Sequence, residues 1–224
     1  MAIISFKHNF IFIKTNKTAG TSIEVDLSRI AGDDAIVTPI FPPEPGHSPR
    51  NFEDKNGEPL YYNHMPARLI RQRLGAKRFN AMFKFCVERE PVEKCISQYH
   101  MLRNSEAHNA EEPYTLSWDE FVKAEKFPVN TGKFAINKVK VVDRILRYDT
   151  LPGSLERLMN NLGVVGFTLT SKAKSTYSKK VLVKPEDVTA EQRAIIERRF
   201  KQSVKLSGIN WSKPPKSVGR NKTA

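Results

Sequence analysis

Two short apolar runs are each followed by a polar turn and a helical pattern. The first run, Phe10 to Ile13, leads into a turn rich in lysine and hydroxyl groups and then into a helix from about Thr21 to Ile30. The second run, Phe83 to Val87, leads to Pro91, which suits the first turn of a helix that continues to about Arg103. Strands that alternate with helices in this way indicate an α/β fold with a parallel central sheet.

Residues 38–63 are expected to form a long loop. Five prolines fall within residues 38–49, which excludes a helix or a central strand there. Because structureless loops of this length are uncommon inside a domain unless they are functional, the segment is predicted to be a lid. The next segment, from His64, has apolar residues at helical spacing, and Arg68, Arg71 and Arg73 lie largely on its other faces.

The remaining pattern predicts a third strand at residues 145–148, followed by a helix over residues 154–162. Capping boxes at Ser117 and Thr189 open a short helix and the last long helix. A chain of 224 residues that is 39% hydrophobic supports one core, so residues 1–211 are predicted to form one domain. Residues 212–224 contain four basic residues and no acidic ones, which predicts a disordered basic tail.

Net charge, apolar runs and cysteine spacing indicate which kinds of partner, location and cysteine role are expected. The formal net charge of +13 indicates an anionic partner. Residues 1–13 are interrupted by polar positions, and no run of about 18 apolar residues occurs, so a cytoplasmic protein without a membrane span is expected. The two cysteines, Cys86 and Cys95, lack a C-x-x-C or zinc spacing and are interpreted as packing residues.

The turn after the first strand reads Lys-Thr-Ala-Gly-Thr-Ser and has the chemistry of a phosphate-binding turn. Its backbone N–H groups and the positive end of the following helix favour an anion, and the lysine adds a full charge. The turn is not a Walker A loop, because its lysine precedes the glycine. The residues expected to contact the anion are Lys17, Thr18, Ala19, Gly20, Thr21 and Ser22.

This turn resembles the 5'-phosphosulfate loop of sulfotransferases that use 3'-phosphoadenosine 5'-phosphosulfate (PAPS), especially the carbohydrate-type branch. In that family a strand followed by Arg-Asn-Pro, with a helix serine eight residues after the arginine, binds the 3'-phosphate. Arg89 and Ser97 match these positions, whereas Glu90 replaces the usual asparagine and Val92 the common tryptophan. A guanidinium suits this task because it presents a planar fork to phosphate oxygens.

The resemblance also assigns roles to residues outside the two motifs. His64 matches a histidine that acts as the general base towards the acceptor hydroxyl, and imidazole has an ordinary pKa near neutral pH. Glu24 and Glu88 are rival bases, since some sulfotransferases use a carboxylate, but each is interpreted first as a structural partner of a nearby Lys or Arg. Lys172 and Lys174 lie in a segment similar to the family's C-terminal phosphate-contacting loop.

The resemblance covers residues 10–211 and implies a P-loop-like three-layer α/β/α fold with a central parallel sheet. It implies in-line transfer of a sulfuryl group from PAPS to a hydroxyl, with a saccharide as the expected acceptor and no metal cofactor. Lys17 and His64 are the expected catalytic residues. The lid, the Arg68/Arg71/Arg73 helix and the acidic loop around Glu111 are expected to shape the acceptor site. Residues 147–149 resemble the family's Arg-Tyr/Phe-Glu and are interpreted as architectural.

Two other function classes remain open from the sequence. A P-loop kinase or NTPase would use residues 139–143 as a Walker B strand ending in Asp143, although the Walker A glycines are missing. A basic nucleic-acid-binding module would explain the charge, but no helix-turn-helix, zinc or RNP pattern occurs, so no nucleic-acid partner is expected.

Overall fold

A mixed five-stranded sheet lies at the centre of the computed structural model, which describes residues 2–107, 109–173 and 180–214. The strands in this part of the chain are β1 (Ala2–Ser5), β2 (Phe10–Ile13), β3 (Ile36–Val37), β4 (Phe83–Glu88), β5 (Ala135–Ile136), β6 (Val139–Lys140) and β7 (Arg144–Arg147). The sheet has the order β3-β1-β2-β4-β7, while β5 and β6 form a separate hairpin.

The expected parallel sheet is confirmed only for its middle and one edge. Strand β2 runs parallel to β4, with Phe12 opposite Phe85, and β4 runs parallel to β7. Strand β1 is antiparallel to both β2 and β3, so the sheet is mixed. The interruption at residues 7–9 is a hairpin turn, in which Asn9 has a left-handed φ of 52°. An antiparallel pair needs only such a tight turn, whereas a parallel pair needs a long crossover.

Eight α-helices occur in the described ranges. They are α1 (Gly20–Ile30), α2 (Ala67–Leu74), α3 (Ala76–Ala81), α4 (Pro91–Asn104), α5 (Trp118–Lys123), α6 (Thr131–Phe134), α7 (Gly153–Asn161) and α8 (Ala190–Ser207). The helix predicted from His64 begins later, and Gly75, with a φ of 85°, separates α2 from α3. The capping boxes predicted at Ser117 and Thr189 are both present.

Helices cover both faces of the sheet. On one face Phe12 and Phe85 pack in a cluster with α1 and α7, and on the other Ile11 and Cys86 pack with α2, α3 and α6. A third cluster joins α4, α5 and α8 beside the sheet. Cys86 and Cys95 are free and buried, which confirms their interpretation as packing residues.

Residues 38–66, all of which the structure describes, include no helix, as predicted for the long loop. The loop is nevertheless fastened to the rest of the domain. Arg50 pairs with Val37 through backbone hydrogen bonds, and its guanidinium donates to the carbonyl oxygens of Ser28 and Gly32, each at 2.8 Å. The loop therefore lies against the end of α1, and its action as a lid stays a prediction.

The C-terminal segment is anchored further along the chain than predicted. The Arg147 guanidinium lies 4.9 Å from the centre of the Trp211 ring and donates to the carbonyl oxygen of Lys213 at 2.9 Å. Asp149 holds the same guanidinium at 2.6 Å. Lys213 of the predicted tail is thus attached to β7, and residues 215–224 lie outside the described ranges.

Candidate anion-binding site

The turn between β2 and α1 has the open helix N-terminus that an anion needs. Lys17 and Ala19 have left-handed φ values of 61° and 58°, and Ala19, the N-cap residue of α1, makes no side-chain cap hydrogen bond. The first N–H groups of a helix have no acceptor within the helix, so these groups remain available to a ligand. We refer to residues 14–22 as the anion-binding turn.

Internal hydrogen bonds hold the anion-binding turn in this shape. The buried Thr15 hydroxyl donates to the carbonyl oxygen of Val87 and lies 2.9 Å from the Thr18 hydroxyl, which in turn contacts the Thr15 carbonyl oxygen at 3.1 Å. The Thr18 side chain is therefore structural. Because Val87 belongs to β4, the Thr15 contact also joins the ends of the two neighbouring strands.

Gly20 is required at the start of α1 by a close approach of Lys14. A Cβ atom on Gly20 would lie 2.5 Å from Cγ of Lys14, a distance at which one of the two must move. The Lys14 side chain has little freedom to do so, because it is buried and its ammonium contacts Glu24 at 2.8 Å. The Lys14–Glu24 pair thus limits the space beside Gly20.

The sheet places Arg89 beside the anion-binding turn. Strands β2 and β4 are parallel neighbours, so the turn after Ile13 and the residues after Glu88 leave the same edge of the sheet. Burial is the main cause of a lowered pKa of His100, and the positive charges of Arg89 and Lys17 lower it further. Both cations therefore act on one imidazole, and the two predicted anion contacts share one region.

Arg89 is oriented by its neighbours. Its guanidinium lies over the Tyr148 ring, 4.2 Å from the ring centre, and its Nε contacts Glu93 of α4 at 3.3 Å. Ser97 is four residues beyond Glu93 and so lies on the same helix face. Arg89 and Ser97 are consequently directed to one side of α4. The ion pair between Arg89 and Glu93 is partly exposed and therefore weak, so another anion can replace the Glu93 carboxylate.

Lys172 is brought to the anion-binding turn by contacts that the sequence did not predict. Asp26 of α1 accepts hydrogen bonds from the backbone N–H groups of Thr170 and Ser171 at 2.7 and 2.8 Å, and the Ala173 N–H donates to the Ser22 hydroxyl at 3.0 Å. The segment carrying the exposed Lys172 therefore lies along α1. Lys174, predicted for the same role, is outside the described residues.

His64 lies next to the turn but differs from expectation in its pKa. Its backbone has a left-handed φ of 57°, and its Nδ1 is 3.4 Å from the carbonyl oxygen of Lys14. Burial, followed by surrounding positive charges that include Lys14 and Lys133, lowers the pKa of His64 to about 2. The imidazole is thus neutral at every physiological pH, whereas a pKa near neutrality was expected from the residue type.

The rival bases Glu24 and Glu88 are both buried partners of lysines. Glu24 contacts Lys14 at 2.8 Å, and Glu88 contacts Lys94 at 2.5 Å. Each carboxylate neutralises a buried lysine. If the carboxylate moved away or took up a proton, the lysine ammonium would remain buried without a compensating charge. Neither side chain is therefore well placed to accept a proton from an acceptor hydroxyl.

Several contributing residues were missed by the sequence analysis: Lys14, Asp26, Lys94, Asn130 and Lys133. Lys14 and Lys94 could have been identified from the sequence, because each is a charged residue inside or beside an apolar segment and so is expected to need a buried partner. The others lie in polar stretches far along the chain from their partners, where no local spacing marks them.

The carboxylate proposed for a Walker B strand lies at the wrong edge of the sheet. Asp143 precedes β7 and contacts the Lys84 ammonium at 3.0 Å and the Lys84 N–H at 2.7 Å. Lys84 is near the start of β4, whereas the anion-binding turn is at the ends of β2 and β4. Asp143 therefore cannot hold a metal ion at that turn in this structure.

Two surface grooves occur elsewhere, between α2, α3 and the β5–β6 hairpin. Their volumes are about 400 and 360 Å³, and they share Arg71 and Ile136. Neither groove includes a residue of the anion-binding turn, so the role expected of the arginine helix in acceptor binding stays a prediction. Within the described ranges, no group of three or more His, Cys, Asp or Glu residues has a geometry for holding a metal ion, and no helix is long and apolar enough to cross a bilayer.

We predict that the fold loses stability between pH 7 and pH 5 because two partly buried imidazoles have lowered pKa values. Burial, Lys14 and Arg50 lower the pKa of His47 to about 4, and His64 is lowered further. Their pKa values in the unfolded chain are about 6.5, so below that pH the unfolded state binds more protons and is favoured. Urea unfolding at several pH values measures this slope.

The double variant His47→Gln, His64→Gln is expected to show a weaker pH dependence than the wild type over the same range. A single exposed substitution, Lys126→Gln, serves as the control and should leave the slope unchanged. An identical slope in the double variant would contradict the prediction.

No protein-family model matches this chain, and no solved structure matches it. A protein of Archaeoglobus fulgidus, described as an uncharacterized protein, is 33% identical over 106 residues, which are 45% of this chain and 83% of that protein. This chain belongs to the same family as the archaeal protein.

Proposed function

We propose that this chain is a PAPS-dependent sulfotransferase on a P-loop-like three-layer α/β fold, with a saccharide hydroxyl as the acceptor. The observation that supports this most is the meeting of two anion-binding groups at one sheet edge: the open N-terminus of α1 with Lys17, and Arg89 at the end of the adjacent parallel strand. A donor with a phosphosulfate at one end and a 3'-phosphate at the other needs two such groups.

The anion-binding turn suits the phosphosulfate end of the donor. In the reaction the acceptor oxygen forms a bond to sulfur, and the bond between sulfur and the bridging phosphate oxygen breaks. Negative charge then grows on the bridging oxygen. The Lys17 ammonium and the N–H groups at the start of α1 are fixed positive groups that stabilise that charge without reorganisation. Adenosine 3',5'-bisphosphate is the nucleotide product.

Arg89, Ser97 and Lys172 suit the 3'-phosphate. The Tyr148 ring orients the Arg89 guanidinium, and a phosphate can replace the exposed Glu93 carboxylate as its partner. Lys172 is exposed on a segment that Asp26 fastens to α1, so its charge lies near the same helix. Lys174 belongs to this proposal on sequence grounds alone.

His64 is the proposed general base towards the acceptor hydroxyl. Its neutral imidazole can accept the proton that the hydroxyl loses when its oxygen attacks sulfur. The low pKa makes it a weak base in the free protein. Because the donor carries several negative charges, we expect donor binding to raise the pKa of His64 towards its ordinary value.

We predict that adenosine 3',5'-bisphosphate binds more tightly than AMP, by about one to two decades, because the extra phosphate gains a charged contact worth roughly 1.5–3 kcal/mol. The variant Arg89→Ala should remove most of that difference. Calorimetry with both nucleotides measures it. The exposed Arg157→Ala variant on α7 is the control, and equal affinities of the two nucleotides for the wild type would refute the assignment of Arg89.

We also predict that sulfuryl transfer persists in excess EDTA, because Lys17 and helix N–H groups neutralise the charge that a metal neutralises in kinases. The assay incubates the protein with PAPS and a panel of poly- and oligosaccharides, steroids and phenols, and mass spectrometry detects the added sulfo group. Complete loss of activity that Mg²⁺ restores would favour the kinase-like alternative. A product on a phenol or steroid alone would correct the acceptor class.

A further inference from the structure

The start of α6 contacts both halves of the candidate site through two side chains. Asn130, immediately before α6, is fully buried. Its Oδ1 accepts the Asn16 N–H of the anion-binding turn at 3.0 Å, and its Nδ2 lies 3.4 Å from the Asn16 carbonyl oxygen. One side chain thus holds both backbone groups of the residue that precedes Lys17.

The same amide connects the turn to the end of β4. Asn130 Nδ2 donates to Oε1 of Glu88 at 2.9 Å, and Oε2 of Glu88 contacts the Lys94 ammonium at 2.5 Å. Lys94 is fully buried on α4. Since a buried polar network is stable only when its members are satisfied, the loss of Asn130 would loosen the turn and leave Glu88 one partner short.

Lys133, three residues later, contacts the segment that carries the proposed base. Its ammonium donates to the backbone carbonyl oxygen of His64, whose left-handed φ of 57° is costly for a residue other than glycine. A charged hydrogen bond to that carbonyl favours the uncommon conformation. Burial lowers the pKa of Lys133, yet its positive charge still acts on the His64 imidazole.

The short helix that begins after Asn130 and carries Lys133 is firmly packed. Phe134 ends α6 and is fully buried in the cluster that contains Ala67 and Ile70 of α2. A side chain attached to such an element is held in place and can position a partner by one hydrogen bond.

We propose that Asn130 and Lys133 are positioning residues with separate tasks, which rests on the function proposed for this site. Asn130 fixes the anion-binding turn and so acts on donor binding. Lys133 fixes the backbone of His64 and so acts on proton transfer. Neither residue touches the reacting atoms.

The two tasks predict that substitution of Asn130 lowers nucleotide affinity, whereas substitution of Lys133 lowers turnover. In Asn130→Ala, affinity for adenosine 3',5'-bisphosphate should fall about tenfold or more, since the N–H groups of the turn are no longer held for the anion. In Lys133→Met, that affinity should stay within about twofold while turnover of PAPS with the best acceptor of the panel falls about tenfold or more. Lys133→Arg keeps a donor and should recover most of the turnover.

The exposed variants Asn161→Ala and Lys126→Met remove matched side chains away from the site and should change neither quantity. If Lys133→Met weakens bisphosphate binding as much as it lowers turnover, α6 is a general support and the proposal is wrong. If Asn130→Ala does not fold, as judged by circular dichroism, the variants Lys133→Met and Lys133→Arg still decide the question. They show whether α6 positions His64 specifically or only supports the fold.

A second measurement does not depend on sulfuryl transfer. By NMR on the nucleotide-free protein, the Asn16 amide proton should exchange at least about tenfold faster in Asn130→Ala and at the wild-type rate in Lys133→Met. The His64 imidazole should titrate at higher pH in Lys133→Met, because a nearby positive charge is gone. Unchanged Asn16 exchange and unchanged His64 titration would overturn the proposal. A wild type that binds no bisphosphate but shows this NMR pattern would refute the proposed function and retain the positioning.

Discussion

Lys17→Ala is expected to lower turnover by about 10²- to 10³-fold and to weaken donor binding as well, because this ammonium meets the phosphosulfate in both the ground state and the transition state. The loss in turnover reflects the charge that grows on the bridging oxygen as the bond to sulfur breaks. The loss in binding reflects the negative charge already present on the bound donor. Steady-state kinetics with PAPS, together with calorimetry of adenosine 3',5'-bisphosphate, separates the two effects.

The backbone conformation of residue 17 makes the choice of substitution important. At its φ of 61°, β-branched residues are strained, whereas alanine, which like lysine is unbranched at Cβ, removes the charge with modest added strain. Lys126→Ala, exposed after α5, is the matched control for the loss of one positive charge. A Lys17→Ala variant that keeps its turnover and its nucleotide affinity would show that the turn does not bind the reacting group.

His64→Ala is expected to lower turnover by roughly 10²- to 10⁴-fold while nucleotide affinity stays nearly unchanged, because base catalysis acts in the transition state. This combination separates His64 from Lys17, whose loss also weakens binding. The His8→Ala variant is the control: His8 is a partly buried histidine of the β1–β2 hairpin whose Nε2 lies 3.0 Å from the Ile30 carbonyl oxygen. Near-normal turnover of His64→Ala would make Glu24 and Glu88 the next bases to test, despite their buried lysine partners.

The pH profile gives an independent check on His64. Its pKa in the free protein is lowered to about 2, so it should produce no acidic limb in kcat/KM between pH 5 and pH 8. In the complex with the donor, negative charge raises that pKa, and an acidic limb is expected in kcat instead. The limb in kcat should disappear in His64→Ala. A limb that persists in this variant would belong to another group.

Local features of this protein were predictable from the sequence because their causes are local. The order lysine, two small residues and two hydroxyl residues after an apolar run specifies an uncapped helix start with a cation beside it. The capping boxes at Ser117 and Thr189 depend on residues three positions apart, and both form. Gly75, which separates α2 from α3, has a positive φ that glycine adopts without strain.

The sheet was only partly predictable. Alternation of strands and helices correctly indicated that β2, β4 and β7 are parallel. Residues 7–9 were interpreted as an interruption of an apolar segment, because a three-residue polar break does not by itself distinguish a hairpin turn from a loop. The pairing of β1 with β2 and β3 depends on which strand edges are free in the folded sheet, and local sequence does not show this.

The chemical groups of the candidate site and the order of its two motifs follow from residue types and their spacing, whereas the groups that surround them follow from tertiary packing. Asn130 meets Asn16 across 114 positions, Lys133 meets His64 across 69, and Asp26 meets Ser171 across 145. No spacing rule encodes such pairs, since they depend on how the whole chain packs. The pKa of His64 has the same origin: residue type sets its ordinary value, while burial and nearby cations, which only the fold provides, set the value in the protein.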